Sequence, residues 1–205
     1  IRLSLFIYLR KGVHMIKKWL IRGDCHGQFT WLDPRKYTNP EETAIIILGD
    51  AGFNFYLSKT DTRLKKETEA KGVYLYCVRG NHEARPQDLP NMTKIYDINV
   101  NGFVYIEQEF PHIRYFEDYG IYHIDSYTVG VIGGAYSVDK HYRLLRAGCL
   151  DESQNDPKKT GWFSNEQLSQ EEMDDCFNLF KDQEVDFMLT HTCPYEWRPV
   201  DMFLS

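Results

Sequence analysis

Residues 43–52 read TAIIILGDAG, and this stretch decides the fold class. A run of strand-forming residues, Thr43–Leu48, ends abruptly at Gly49-Asp50. A run that is apolar at consecutive positions, without alternation, is typical of a strand buried on both faces, as in layered α/β proteins. The sequence therefore predicts a central strand with a polar loop at its carboxyl end.

Comparable short, β-branched runs recur on both sides of this strand, at 16–21, 73–78, 103–110, 120–125, 127–132 and 185–190. Residues 62–71 predict a polar helix. Residues 165–182 predict one helix or two short ones, with capping-box patterns at Ser164 and Ser169. Between about 99 and 132 the strands follow one another, and Asn101-Gly102 predicts a hairpin turn. We predict an α/β fold, a four-layer α-β-β-α sandwich of two mixed sheets.

The composition is that of a single globular domain. The chain has 205 residues, of which 42% are hydrophobic, and a net charge of −6. This acidic balance argues against non-specific binding to nucleic acids, and no apolar run is long enough to cross a membrane. Five cysteines without a CxxC pair favour neither a disulfide framework nor a zinc knuckle, so we expect a reducing, cytoplasmic location.

The first residues have a different interpretation from the rest. The chain begins with Ile1, and Met15 opens the first strand-like run. Arg10-Lys11-Gly12 could be encoded by a purine-rich ribosome-binding sequence just upstream of Met15. We predict that residues 1–14 are a translated leader and that residues 15–205 form one domain.

Four of the apolar runs end in loops that are rich in metal ligands. The loops contain Gly23-Asp24-Cys25-His26-Gly27, Gly49-Asp50-Ala51-Gly52, Gly80-Asn81-His82-Glu83 and His191. Binding sites in open α/β sheets form at the carboxyl ends of strands, so these loops are expected to converge. Asp, His and Asn ligands suit Mn²⁺, Fe or Zn²⁺. Each loop alone is more typical of a plain turn or of a structural residue, whereas the four loops together favour a metal site.

In the order and spacing of these blocks the chain resembles the calcineurin-like metallophosphoesterases. Their pattern is Gly-Asp-x-His, Gly-Asp, Gly-Asn-His-Glu/Asp, a later His, and Gly-His-x-His. Four of these five blocks occur between residues 23 and 191. GDCHG and RGNHE also resemble the Ser/Thr protein phosphatase branch, but GDAGFNF lacks that branch's Gly-Asp-x-Val-Asp-Arg-Gly. We therefore favour the wider family, of the small bacterial or phage type.

The resemblance implies a role for each position. Asp24 and His26 would bind one metal, Asn81 and His191 the other, and Asp50 would bridge both. Asp50 and His82 would be the catalytic residues, with Glu83 orienting His82. The cofactors would be two divalent ions, with Mn²⁺ expected and Fe or Zn²⁺ as alternatives. The implied reaction is phosphomonoester hydrolysis by in-line attack of metal-bound hydroxide, with His82 protonating the leaving group.

Two arginines outside the blocks are candidates for binding the substrate phosphate. Arg85 follows the third loop, and Arg143 lies after another strand end in GGAYSVDKHYRLLR. Arginine can hold a phosphate through two hydrogen bonds, although solvated surface charges fit equally well. We assign Trp162 to the core. The expected partner is a phosphorylated small molecule or phosphoprotein, with no membrane, nucleic acid disfavoured and the oligomeric state open.

The family's fifth block does not occur in this sequence. After His191 the chain reads TCPYEWRPVDMFLS, without a second His-x-His. We expect a fragment whose C-terminal part is missing. The alternative to a fragment is a degenerate, non-catalytic module that binds phosphate or a partner. For the reaction, the alternative to a phosphomonoesterase is a phosphodiesterase or nuclease.

Overall fold

The computed structural model describes residues 15–193, and this part of the chain forms two mixed sheets with helices outside them. The predicted leader, 1–14, and residues 194–205 lie outside the described residues. The strands are β1 (Lys18–Arg22), β2 (Thr43–Leu48), β3 (Tyr74–Val78), β4 (Met92–Asp97), β5 (Gly102–Glu107), β6 (Ile113–Phe116), β7 (Tyr119–Ile124), β8 (Tyr127–Ile132) and β9 (Phe187–Thr190). The helices are α1 (Lys59–Glu69), α2 (Lys140–Arg146), α3 (Pro157–Thr160) and α4 (Gln170–Phe180).

The larger sheet has six strands in the order β1-β2-β3-β6-β5-β4. Strands β1, β2, β3 and β6 run parallel, whereas β5 is antiparallel to both β6 and β4. Strand β2 lies between β1 and β3, so that Ile46 is opposite both Ile21 and Tyr76. Ala44–Ile47 are only 0–3% exposed, which confirms the prediction of a central buried strand.

The two faces of β2 contribute to two different cores, because successive side chains of a strand point in opposite directions. Ile46 packs between the sheets in one cluster with Val131 of β8. Ile47 packs on the outer face with Phe29 and with Leu64 of α1. Each such buried side chain contributes roughly 1.5–3 kcal/mol. Residues 44–47 are therefore covered on both faces of the sheet.

The smaller sheet has the order β7-β8-β9, with a β7–β8 hairpin and β9 parallel to β8. Tyr122 of β7 joins the sheets, because its hydroxyl donates to the Phe103 carbonyl at 3.1 Å and accepts from the Glu117 N–H at 3.0 Å. Helix α4 lies on the outer face, where Phe180 approaches Gly130 of β8. With α1 outside the other sheet, the predicted α-β-β-α order is confirmed.

Helix boundaries follow the capping residues. Helix α1 begins earlier than the predicted 62–71, since the Ser58 side chain accepts a hydrogen bond from the Thr60 N–H. Helix α4 begins with the predicted capping box of Ser169 and Glu172. None of the helices in residues 15–193 combines the length and apolar character that a membrane crossing requires.

The prediction of a capping box at Ser164 is wrong, because no helix starts there. The carbonyl groups of this segment accept hydrogen bonds from buried guanidinium groups instead of helical N–H groups. Glu166 O accepts from Arg79 at 2.8 Å, and Gln167 O accepts from Arg85 at 2.8 Å.

Three strands depart from the sequence pattern. The apolar run in β1 is not buried on both faces, because β1 pairs only with β2 and Ile21 is 61% exposed. Strand β4 was not predicted, since it is half-exposed and reads MTKIYD. Strand β6 was not predicted either, since it has only four residues and one of them is charged. That residue, Arg114, forms an ion pair with buried Asp97 of β4.

Candidate functional site

The four ligand-rich loops converge as expected. Strands β1, β2 and β3 are parallel neighbours, so the loops that follow them meet at one sheet edge. Strand β9 of the other sheet ends at Thr190, directly before His191. The His191 ring reaches the β2 end, where Nδ1 lies 2.8 Å from the Leu48 carbonyl oxygen.

Asp50 lies at the centre of this arrangement and is 2% exposed. Its Oδ1 accepts a hydrogen bond from the His82 backbone N–H at 2.9 Å, and its Oδ2 lies 3.4 Å from Nε2 of His191. Its carbonyl oxygen accepts from the backbone N–H of His26 at 2.7 Å, which fixes the first loop. Burial alone would raise the pKa of Asp50, but the contacts with His191 and His82 lower it overall.

His191 is surrounded by oxygen acceptors. Besides the Leu48 carbonyl at Nδ1, its Nε2 faces Asn81 Oδ1 at 3.0 Å and Asp50 Oδ2 at 3.4 Å. Burial lowers the pKa of His191, but the Asp50 carboxylate outweighs burial and raises it. A neutral ring with its hydrogen on Nδ1 would leave Nε2 and two oxygens facing one another. A cation bound by these three atoms would resolve this excess of lone pairs.

Asp24 and His26 form a second donor pair on the open side of Asp50. His26 Nε2 lies 3.0 Å from Asp24 Oδ2 and 3.9 Å from Asp50 Oδ2. The side chains of His26 and Asp24 are 52% and 56% exposed, whereas that of Asp50 is 3% exposed. The side chains of Asp24 and His26 are therefore open to solvent, whereas that of Asp50 is enclosed.

The donor distances allow a test of whether metals fit. Two donors bound to one cation at about 2.1 Å lie roughly 3.0–3.4 Å apart. The distances around His191 Nε2 meet this requirement with Asn81 and Asp50, although one donor there is an amide. No three His, Cys, Asp or Glu side chains within residues 15–193 already form a group that could hold a metal. A cation at Asp24 and His26 therefore requires these half-exposed side chains to turn toward Asp50.

Gly80 is required for the loops to approach this closely. A β-carbon at this position would lie 2.0 Å from Oδ1 of Asp50. Only glycine allows the third loop to lie against the central carboxylate.

His82 and Arg143 face each other across the cavity. One N–H of Arg143 lies 3.4 Å from Nε2 of His82, and its Nε donates to Asp139 at 2.8 Å. Because a guanidinium only donates, His82 Nε2 is the acceptor and the ring hydrogen is on Nδ1. This buried Nδ1 has no hydrogen-bond partner in the described part of the chain. Burial lowers the pKa of His82, which favours the neutral ring.

The prediction that Glu83 orients His82 is wrong. The Glu83 carboxylate accepts from the backbone N–H groups of Gly52 and Gly80, at 2.8 and 3.4 Å, and so joins the second and third loops. Burial, reinforced by the Asp50 charge, raises the pKa of Glu83 to about 7. Its role in the structure is to hold the loops together.

Arg85 is not at the site, contrary to prediction. Its side chain is buried and donates to the Asn165 and Gln167 carbonyl groups at 3.0 and 2.8 Å. It also forms ion pairs with Asp118 and Glu172. These partners occupy the guanidinium, so Arg85 holds the 165–172 segment instead of a substrate.

Arg143 does line a cavity beside the site, with a volume of about 440 Å³ and with His26, Asp50 and His82 in its wall. A second cavity of about 450 Å³ adjoins it and shares Arg143, Phe55 and Tyr56. Its remaining cations are Arg146, Lys158 and Lys159. Trp162 is 2% exposed, which confirms its assignment to the core.

Two buried residues that the sequence analysis missed contact the site through Asn81. Ser137 lies 2.8 Å from Asn81 Nδ2, and Glu166 accepts from Ser137. Ser137 lies in the Gly133–Val138 stretch (GGAYSV), so a polar residue shortly after a strand end was the available signal. Glu166 offered no local signal.

A comparison with curated proteins finds no match. The sequence model of the calcineurin-like phosphoesterase family matches residues 18–203, a range that includes all four loops. The match covers most of the sequence and agrees with the fold and with the convergence of the loops. The chain therefore belongs to the calcineurin-like phosphoesterase family, whose members hydrolyse phosphoric ester bonds and generally bind two divalent metals.

Proposed function

We propose that this chain is a phosphomonoesterase that uses two divalent metals, with Mn²⁺ as the expected ion. The observation that carries the proposal is Asp50, a buried carboxylate with imidazole donors on both sides, beside a cavity that contains Arg143. Asp24, His26 and Asp50 would hold one ion, and Asp50, Asn81 and His191 the other. When bound, the two ions would neutralise phosphate oxygens and acidify water.

The remaining side chains support the handling of a phosphate. A monoester carries about two negative charges, and the Arg143 guanidinium provides a cation opposite the metal ligands. When a phosphate oxygen accepts from Arg143, the nearby Nε2 of His82 is released. His82 can then hold a proton beside the leaving oxygen.

The second cavity has two possible uses, one of which belongs to the alternative function, a phosphodiesterase. It gives room on the far side of Arg143 for a leaving group or for the second ester arm of a diester. We propose the leaving-group use, because Arg143 supplies charge that a monoester needs more than a diester does. The substrate would be a phosphorylated small molecule or phosphoprotein, since the charge of −6 disfavours nucleic acid. Five free thiols support a reducing compartment.

The test combines Mn²⁺ titration by calorimetry with turnover of p-nitrophenyl phosphate and bis(p-nitrophenyl) phosphate. We expect two Mn²⁺ per chain and faster hydrolysis of the monoester. Asp50→Asn should lower turnover by more than about 100-fold, beyond the effect typical of residues that only support a ligand. Glu67→Gln, at an exposed carboxylate on the same cavity, is the matched control.

Faster turnover of the diester would favour the phosphodiesterase. Absence of both metal binding and turnover would favour a non-catalytic binding module.

A further inference from the structure

A buried hydrogen-bond chain connects Asn81 to a carboxylate far away in the sequence. Asn81 Nδ2 donates to Ser137 Oγ at 2.8 Å, and Ser137 Oγ donates to Glu166 Oε2 at 2.5 Å. The Ser137 backbone N–H donates to Glu166 Oε1 at 2.8 Å. Asn81, Ser137 and Glu166 are 9%, 2% and 3% exposed.

The direction of each hydrogen bond in this chain follows from its far end. Glu166 accepts from both the backbone N–H and the hydroxyl of Ser137, so the single hydroxyl hydrogen of Ser137 points toward this carboxyl group. The serine oxygen then has only lone pairs to offer and must face the N–H₂ side of the Asn81 amide. The amide oxygen consequently points the other way, where it lies 3.0 Å from His191 Nε2.

We propose that Glu166 and Ser137 are positioning residues that hold the Asn81 carbonyl oxygen toward the metal site. The inference rests on the proposed role of Asn81 as a metal ligand. Asparagine is an asymmetric ligand, because a flip of its amide replaces an oxygen by an N–H group that repels a cation. The polarity of the chain determines which of the two faces the metal.

The hydrogen-bond chain from Asn81 to Glu166 is anchored by Arg79. The Glu166 carbonyl oxygen accepts from the guanidinium of Arg79 at 2.8 Å, and that guanidinium also forms a buried ion pair with Asp118. Arg79 directly follows β3 and lies two residues before Asn81. The Arg79 carbonyl oxygen accepts from the Gly134 N–H at 2.7 Å. Both ends of this hydrogen-bond chain, Asn81 and Glu166, are thus fixed to the carboxyl end of β3.

A purely structural explanation is that Ser137 only satisfies a buried carboxylate. Glu166→Gln separates this from positioning, because it keeps the size and the hydrogen-bonding capacity of the side chain. The glutamine oxygen can accept from the Ser137 N–H while its N–H₂ donates to Ser137 Oγ. The serine hydroxyl is then free to donate to Asn81, which reverses the polarity of the chain and favours the flipped amide.

The test is calorimetric Mn²⁺ titration of the full chain, with thermal unfolding without metal as the folding control. We expect Glu166→Gln and Ser137→Ala to weaken one of the two Mn²⁺ sites by about 10–100-fold, as for other supporting partners of ligands. Glu172→Gln removes a carboxylate of the same segment that does not touch Asn81, and it should leave Mn²⁺ affinity unchanged.

The decisive comparison is made with Asn81→Asp. A carboxylate presents oxygen on either side, so Glu166→Gln should no longer weaken Mn²⁺ binding in this background.

Wild-type affinity in folded Glu166→Gln would overturn the positioning role, and so would a loss that persists in the Asn81→Asp background. Mn²⁺ binding without turnover would refute the proposed hydrolase activity, but the positioning role could still be judged from the Mn²⁺ affinities of the variants. A wild-type chain that binds no Mn²⁺ would overturn both.

Discussion

Gly49 and His191 are in such close contact that a β-carbon on Gly49 would lie 2.1 Å from Nδ1 of His191. The same nitrogen lies 2.8 Å from the carbonyl oxygen of Leu48, the residue before Gly49. The imidazole therefore packs directly against the backbone at the end of β2, and this contact limits the positions that the ring can take. A glycine between a strand and an aspartate, which is common in turns, here determines where a distant histidine lies.

We expect Gly49→Ala to displace the His191 ring and to weaken Mn²⁺ binding by more than tenfold in calorimetry. Gly72→Ala is the matched control, since both glycines have positive φ, +86° and +68°, but nothing lies within 4 Å of a β-carbon at Gly72. The control should cost about 1–2 kcal/mol of stability from backbone strain alone. Equal Mn²⁺ affinity in the two variants would show that His191 does not depend on Gly49.

Arg143→Met should lower kcat/KM for p-nitrophenyl phosphate by about 10–100-fold, because a hydrogen bond to a charged group contributes about 1.5–3 kcal/mol. Arg146→Met is the control, as Arg146 lies one turn further along α2 and faces only the second cavity. It should change this kcat/KM by less than about twofold. If both variants hydrolyse the ester like the wild type, Arg143 does not bind the phosphate.

Because of the Arg85–Glu172 ion pair, the free energy of unfolding should depend on pH in the acid range. Hydrogen bonds from Arg85 lower the pKa of Glu172 from 4.5 to about 2. A lowered folded-state pKa means that the pair stabilises the fold above about pH 4.5, and that this contribution is lost as the pH falls toward 2. Urea unfolding at pH 6 and pH 3 should show a gap in free energy between wild type and Glu172→Gln that narrows at pH 3.

The control for this measurement is Glu171→Gln, at the exposed neighbouring position. This variant keeps the Arg85–Glu172 ion pair, so it should lose the contribution of that pair at pH 3 as the wild type does. A wild-type advantage over Glu172→Gln that does not narrow at pH 3 would contradict the assigned pKa shift.

The convergence of the loops was predictable because it depends on local signals. Parallel strands place their carboxyl ends together, and Asp50 and Asn81 closely follow the buried neighbours β2 and β3, whereas His191 directly follows the half-exposed β9 of the smaller sheet. Strand ends and glycines are visible in the sequence. The same reasoning failed for β1, since the sequence pattern does not reveal which strand lies at the edge of a sheet.

The side chains around the loops could not be assigned, because their partners come from distant segments. Arg85 and Arg143 look alike in sequence, and each follows a loop near a strand end. Arg85 is occupied by carbonyl groups 80 and 82 residues away, whereas Arg143 is left facing His82. Glu166 contacts Ser137 across 29 residues, a relationship that no local pattern encodes.

The contact between His191 and Leu48 also has a consequence for folding. It spans 143 residues, and closing a flexible loop of that length costs about 4 kcal/mol of chain entropy. Strand β9 contributes only four residues and pairs only with β8 among the described strands, so it is a weak tether for this histidine. An ion held between Asp50 and His191 would act as a reversible cross-link between the two sheets. Chelation should then accelerate hydrogen exchange first in β9, while the amides of β2 remain protected.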